Sequence, residues 1–185
     1  MGFKDDFVNR YLDYAKQAAA AVDMPVSVVL GQWALESDYG RSNRAVNHNN
    51  LGGIKYSSNG FGSPVGDGFA RYDSIGSYVK DYIRVMKLGY YDKVRAAGGV
   101  DDTILELAKS PYDAGHYGGS GKSILNIVKG SGWAEFDNML MPSSDGPRLD
   151  LPQVDNQTLS WLLIGAGVLL MIKVVLGREP VEVAK

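Results

Sequence analysis

The sequence has no cysteine and only two histidines among its 185 residues. Structural disulfides and thiolate metal sites are therefore excluded. His48 and His116 stand far apart in the chain, so a zinc site is not expected, and nothing in the sequence calls for a cofactor. There is no basic excess. The 19 Lys and Arg against 21 Asp and Glu leave a formal charge of -2, without the positive footprint that a nucleic-acid partner needs. The charges are mixed along the chain rather than gathered in blocks. The first residues, MGFKDDFVNRYLDYAKQ, lack the apolar core of a signal peptide.

A long apolar run is present, but at the other end: LSWLLIGAGVLLMIKVVL, residues 159–176. A helix crossing the roughly 30 Å hydrocarbon core needs about 20 such residues. The run carries one charge, Lys173, near its end, where the stem can snorkel toward the headgroups. Trp161 stands at the opposite end, where interfacial aromatics gather. No polar face interrupts Trp161 to Ile172, as an amphipathic core helix would require. We therefore expect a folded domain over 1–140, a linker over 141–157 rich in proline and polar residues, a single transmembrane helix over 158–177 and a polar tail over 178–185. Lys173 and Arg178 after the span, against Asp150 and Asp155 before it, favour a cytoplasmic tail and an exported N-terminal domain. Export without a signal peptide fits a phage component seated in a virion membrane, or else a protein of the bacterial envelope. The lipid bilayer is the expected partner on this side; the sequence names no protein partner.

A domain of about 140 residues can bury roughly two-thirds of its surface, enough for a core without staples. Phe3, Phe7, Tyr11, Tyr14, Ala15, Ala18 and Val22 recur at helical spacing. Pro25 can open a second helix, PVSVVLGQWALES, ending at the YGRS turn. The glycine-rich stretch from Gly52 to Gly68 reads as a small hairpin or a long loop. Ile75, Tyr78, Val79, Tyr82, Ile83 and Met86 restore helical spacing over Ser74 to Leu88. Asp101 or Asp102 is a candidate N-cap for TILELAKS. Lys122 to Lys129 suits another helix, and WAEFDNML closes the domain. The whole is mainly α, with one short β-hairpin.

Glu36 is the residue on which chemistry is most readily placed. It ends an apolar helix, one turn after Gln32 and Trp33. A carboxyl partly desolvated in that setting favours its neutral form. A general acid that protonates a glycosidic oxygen needs that property. A solvated glutamate at a helix end is the alternative that this local pattern leaves open. The eleven tyrosines and three tryptophans suit a sugar-binding groove as well as an ordinary core.

Four ordered stretches narrow the choice. ALESDYGRS, HNNLGGIKY, FARYDSIGSYVKDYIRVM and LAKSPYDAGHYGGSGKSILNIVK together resemble glycoside hydrolase family 73, the autolysin and flagellar N-acetylglucosaminidases, over residues 5–133. The resemblance implies a lysozyme-like, two-lobed helical fold with a groove for peptidoglycan glycan strands, and cleavage of β-1,4 bonds on the N-acetylglucosamine side. It implies that Glu36 is the catalytic acid and that Tyr112 orients substrate or water. It places Asn50, Leu51, Gly53, Lys55 and Tyr72 around the groove. Asn50 and the glycines could equally be turn formers. Many family members carry a second acid on a hairpin across the groove. Here KYSSNGFGSPVGDGFARY holds only Asp67. Asp67 is either the base of an inverting reaction or the turn residue of Gly-Asp-Gly.

The run GHYGGSGKS ends like a phosphate-binding loop, but Gly115 stands one residue too early and no apolar strand precedes it. Two rivals to the hydrolase remain. A lytic transglycosylase would use one glutamate and the sugar's own 6-hydroxyl in place of water. A virion or envelope membrane protein that only binds glycan would have no need of a carboxyl in Glu36's setting.

Overall fold

The computed structural model describes residues 2–112 and 119–138. The expected linker, transmembrane helix and tail lie outside the described residues, as does His116. Helix α1, Phe3–Val22, buries Phe7, Tyr11, Ala15, Ala18, Ala19 and Val22, the three-and-four spacing of a helix with one apolar face. Its first turn carries Asp5 and Asp6, which complement the helix dipole. The Asp5 carboxylate also accepts a 2.9 Å bond from the Gly2 N–H. A left-handed Asp23 stops the helix, and Pro25 admits the next.

Helix α2, Val26–Ser37, is central. Eight successive residues from Ser27 to Ala34 are buried, so the helix needs partners on every side. These are α1, helix α6 (Val100–Ala108), helix α7 (Lys122–Ser131) and a closing 3₁₀ segment, Trp133–Asn138. Gly31 sets the closest approach. A Cβ there would stand 2.8 Å from Val128 Cγ2 and 3.1 Å from Ile124 Cγ2, so α7 could not settle against a larger residue. Asp137 ties the closing segment to the start of α2, accepting from Ser27 N–H at 2.8 Å and Ser27 Oγ at 2.7 Å. It thereby satisfies one of the donors that a helix start leaves unpaired.

Helix α4, Ile75–Met86, begins at Ser74, whose hydroxyl accepts from the Ser77 N–H at 3.1 Å. It buries the six apolar residues that the periodicity predicts, together with Asp81. Asp81 is matched by the Tyr72 hydroxyl at 2.7 Å and Arg84 Nε at 2.6 Å, which makes its burial tolerable.

Three features depart from the sequence reading. A short helix α3, Asn43–His48, follows the YGRS turn. It buries only Ala45 and so leaves no apolar period to read. Helix α6 begins at Val100 with Gly99 as its N-cap. Asp101 and Asp102 therefore lie in the first turn, where they face the dipole rather than cap it. A 3₁₀ turn, Gly89–Tyr91, and a four-residue helix α5, Asp92–Arg95, fill the connection after α4. The hairpin itself is minimal. Strands β1, Ser63–Pro64, and β2, Ala70–Arg71, pair antiparallel with Ser63 opposite Arg71. A separate bridge joins Lys55 to Phe69. The described chain is thus mainly helical with one two-stranded sheet. Among the described residues no single helix is long and apolar enough to cross a membrane.

Candidate active site

The last turn of α2 carries Glu36 to the wall of a cleft of about 740 Å³. The turn is held from behind. Gln32, one turn earlier and fully buried, accepts a 2.7 Å bond from the Tyr82 hydroxyl. Trp33 is equally buried and meets Tyr78 and Tyr82 edge-on, with ring centroids 5.3 and 5.4 Å away. Beyond Glu36 the backbone turns sharply. Asp38, Tyr39 and Gly40 all take left-handed φ values of 51°, 53° and 76°. Ser37 fastens this turn by accepting from the Gly40 N–H at 2.7 Å. The half-buried Glu36 side chain is therefore held by a rigid helix end and a fixed turn.

Opposite lies the Gly52–Gly53 segment. Gly53 has φ +59°, and a Cβ there would stand 3.7 Å from Glu36 Oε2. Gly52 has no room for a side chain at all. An added Cβ would collide with the Tyr112 hydroxyl and lie 2.8 Å from the Tyr78 hydroxyl. The glycine pair lets the chain thread between Glu36 and two tyrosines. Tyr112 donates to the Gly52 carbonyl at 2.6 Å, and its ring meets Tyr91 edge-on at 6.2 Å. Burial pushes the Tyr112 and Tyr78 hydroxyls well above the usual tyrosine range, and the nearby tyrosine hydroxyls and Glu36 charge add to it. Both therefore stay protonated, but only Tyr112 spends its proton on a partner, whereas the buried Tyr78 hydroxyl has none among the described residues.

Asn50, Gly53, Lys55, Asp67 and Tyr112 line the same cleft as Glu36. Asn50 is only 1% exposed. Its Nδ2 donates to the carbonyls of Ile54 (2.9 Å) and Ala70 (2.8 Å), and its Oδ1 accepts from the Ile54 N–H at 2.9 Å. It clamps the cleft floor to β2. Leu51 and Tyr72 are not among the lining residues. Leu51 is wholly buried in the core, and Tyr72 turns its hydroxyl to Asp81. They support the wall from behind.

Asp67 sits in the turn between Val65 and Gly68, whose N–H donates to the Val65 carbonyl at 3.0 Å. Its carboxylate accepts from the Phe69 N–H at 3.1 Å and from Arg44 Nη2 at 3.3 Å. The Phe69 bond first, and then Arg44, hold it below the usual carboxylate range. Arg44, which the sequence reading does not single out, lines the cleft beside it. No local signal marks Arg44, because its partners are Asp67 and Phe69, more than twenty residues away. Among the described residues no group of three or more His, Cys, Asp or Glu could hold a metal ion.

Comparison with known proteins places this geometry. A family model described as mannosyl-glycoprotein endo-beta-N-acetylglucosaminidase matches residues 12–141. No curated protein sequence matches the chain. Solved structures do share its fold. The catalytic domain of the autolysin Auto from Listeria monocytogenes superposes with a TM-score of 0.62 at 23% identity, over 74% of this chain and 89% of that one. An N-acetylmuramoyl-L-alanine amidase from Staphylococcus aureus gives 0.61 at 26% identity, over 77% of this chain and 46% of that one. The glycoside hydrolase domain of FlgJ from Salmonella typhimurium gives 0.53 at 21% identity, over 75% and 100%. The family match begins inside α1 and runs past the closing 3₁₀ segment, so it takes in both walls of the cleft, and the chain belongs to the glucosaminidase family, family 73 of the glycoside hydrolases.

Proposed function

We propose that this glycoside hydrolase cleaves β-1,4 bonds of peptidoglycan on the N-acetylglucosamine side, with Glu36 as general acid, and that the apolar segment 158–177 tethers it to a membrane. The observation that carries the activity is Glu36 itself, held on a rigid helix end at the cleft wall against Gly53. The solved structures named as an autolysin catalytic domain and a glycoside hydrolase domain support the substrate class. Glu36 gives its proton to the leaving oxygen. Tyr112 has its proton engaged by the Gly52 carbonyl, which leaves its oxygen lone pairs for a substrate N–H or a water. The tether rests on length and hydropathy alone. A virion membrane or the bacterial envelope would each put the catalytic domain against the wall.

One experiment tests both parts. The full chain and a chain ending at Met141 are incubated with purified cell wall and partitioned between detergent and water. Both should release glycan fragments, and only the full chain should enter the detergent phase. A full chain that stays in water without detergent refutes the tether, and an intact wall refutes the substrate. Mass spectrometry of the fragments decides between two reactions. Asp67, with its oxygens engaged by Phe69 N–H and Arg44, is poorly placed to activate water. That keeps the lytic transglycosylase in play, which uses the sugar's 6-hydroxyl. Hydrated reducing ends indicate hydrolysis, and anhydro sugars the transglycosylase.

Asp67 and Tyr112 should also rank differently. Asparagine tolerates the same turn, so Asp67→Asn should keep kcat within about threefold of wild type, far from the 10²–10⁴ worth of a general base. Tyr112→Phe loses the bond to Gly52 and should lower kcat by about tenfold, the value of one hydrogen bond. The reverse ranking in steady-state kinetics would return Asp67 to the role of base. The reaction would then be an inverting one, with carboxyls about 6.5–9.5 Å apart.

A further inference from the structure

The charged groups of the cleft are Glu36, Arg44, Lys55 and Asp67, and three of the four share one wall. Lys55 pairs its backbone with Phe69. The Arg44 guanidinium lies 3.5 Å from the centroid of the Phe69 ring. Stacking of this kind orients a planar guanidinium and leaves its edge available for a bidentate acid. The edge is poorly used. Its one bond to Asp67 spans 3.3 Å, longer than the roughly 2.7–2.9 Å of a good charge-assisted pair. Arg44 Nε is shielded from solvent and has no partner among the described residues. Lys55 is exposed and makes no ion pair among them.

A neutral sugar chain laid over this wall would strip water from two cations with one carboxylate between them. Desolvating unmatched charge is costly. Glu36 stands apart from this wall, at the end of α2. We propose that the wall is a subsite for a carboxylate of the substrate, with Arg44 as the residue that binds it and Asp67 as a placeholder that it displaces. In peptidoglycan such carboxylates stand on the branch of every second sugar, either at the lactyl group or on the peptide attached to it. The inference rests on the peptidoglycan reading and names what that cleft recognises beyond the sugar ring.

The test measures binding rather than cleavage. Calorimetry with the full chain carrying Glu36→Gln compares three soluble ligands of equal length. One is a glycan fragment bearing peptides, the second is the same glycan stripped to free lactyl carboxylates, and the third is a neutral chitooligosaccharide. One of the anionic fragments should bind about tenfold more tightly than the neutral one, and which of the two does so identifies the carboxylate. Arg44→Gln should erase that preference and leave the neutral ligand's affinity unchanged. Asp67→Asn should strengthen anionic binding, since the placeholder no longer competes. Equal affinity for all three ligands overturns the proposal. So does an Arg44→Gln effect that is the same on neutral and anionic fragments, or a loss of anionic binding in both variants, because the pair would then only clasp the hairpin to α3. An intact cell wall with the unmodified chain, beside a preserved anionic preference, would count against the cleavage reading alone.

Discussion

Glu36→Gln should remove cell-wall cleavage, lowering kcat by on the order of 10²–10⁴, the usual contribution of a general acid. Glutamine keeps the length and planarity of the side chain but has no acidic proton to give. The fold should not notice. Glu36 is half-buried at the cleft, whereas the end of α2 is held by other residues, through the Tyr82 bond to Gln32 and the Ser37 bond to the Gly40 N–H. Unfolding midpoints of the two proteins should therefore agree. Clearing of a cell-wall suspension gives the rate. Activity within about threefold of wild type would remove Glu36 from the chemistry.

Asn50→Ala should do the opposite, damaging the fold before the chemistry. The side chain satisfies three buried backbone groups, the carbonyls of Ile54 and Ala70 and the N–H of Ile54. A buried group left without its partner costs about 1–3 kcal/mol. Losing all three should destabilise the domain by on the order of 3–5 kcal/mol, the range of the most damaging single substitutions. Asn50→Asp should be no better, since it would turn a carboxylate oxygen toward two carbonyls. Urea unfolding measures the loss. If Asn50→Ala unfolds with the wild-type midpoint and binds glycan poorly, Asn50 is a substrate ligand and its clamp is incidental.

The two substitutions divide along a line that runs through the whole protein. Helices α1, α2 and α4 were legible because their signals are local. Apolar residues three and four apart must share a face. The same locality made Glu36 legible, as a carboxyl at the end of a helix too apolar to face water on any side. The short α3 was not, because a helix that buries one alanine has no period to read. The start of α6 was misplaced because Asp101 and Asp102 suit a first turn as well as a cap. The family resemblance pointed to Tyr72 and Leu51 as groove residues, yet motif order cannot tell the face of a wall from its back.

Local spacing in the sequence was enough for the long helices α1, α2 and α4 and for the carboxyl that ends the apolar second helix. Packing between distant segments brings Tyr112 to the carbonyl of Gly52, sixty residues earlier, lets Asn50 clamp β2, and stacks Arg44 on Phe69 beside Asp67. The reason is physical. Helical spacing and caps act over about four residues, within reach of any short window of sequence. A cleft is made where distant segments meet, and their meeting depends on how every helix between them packs.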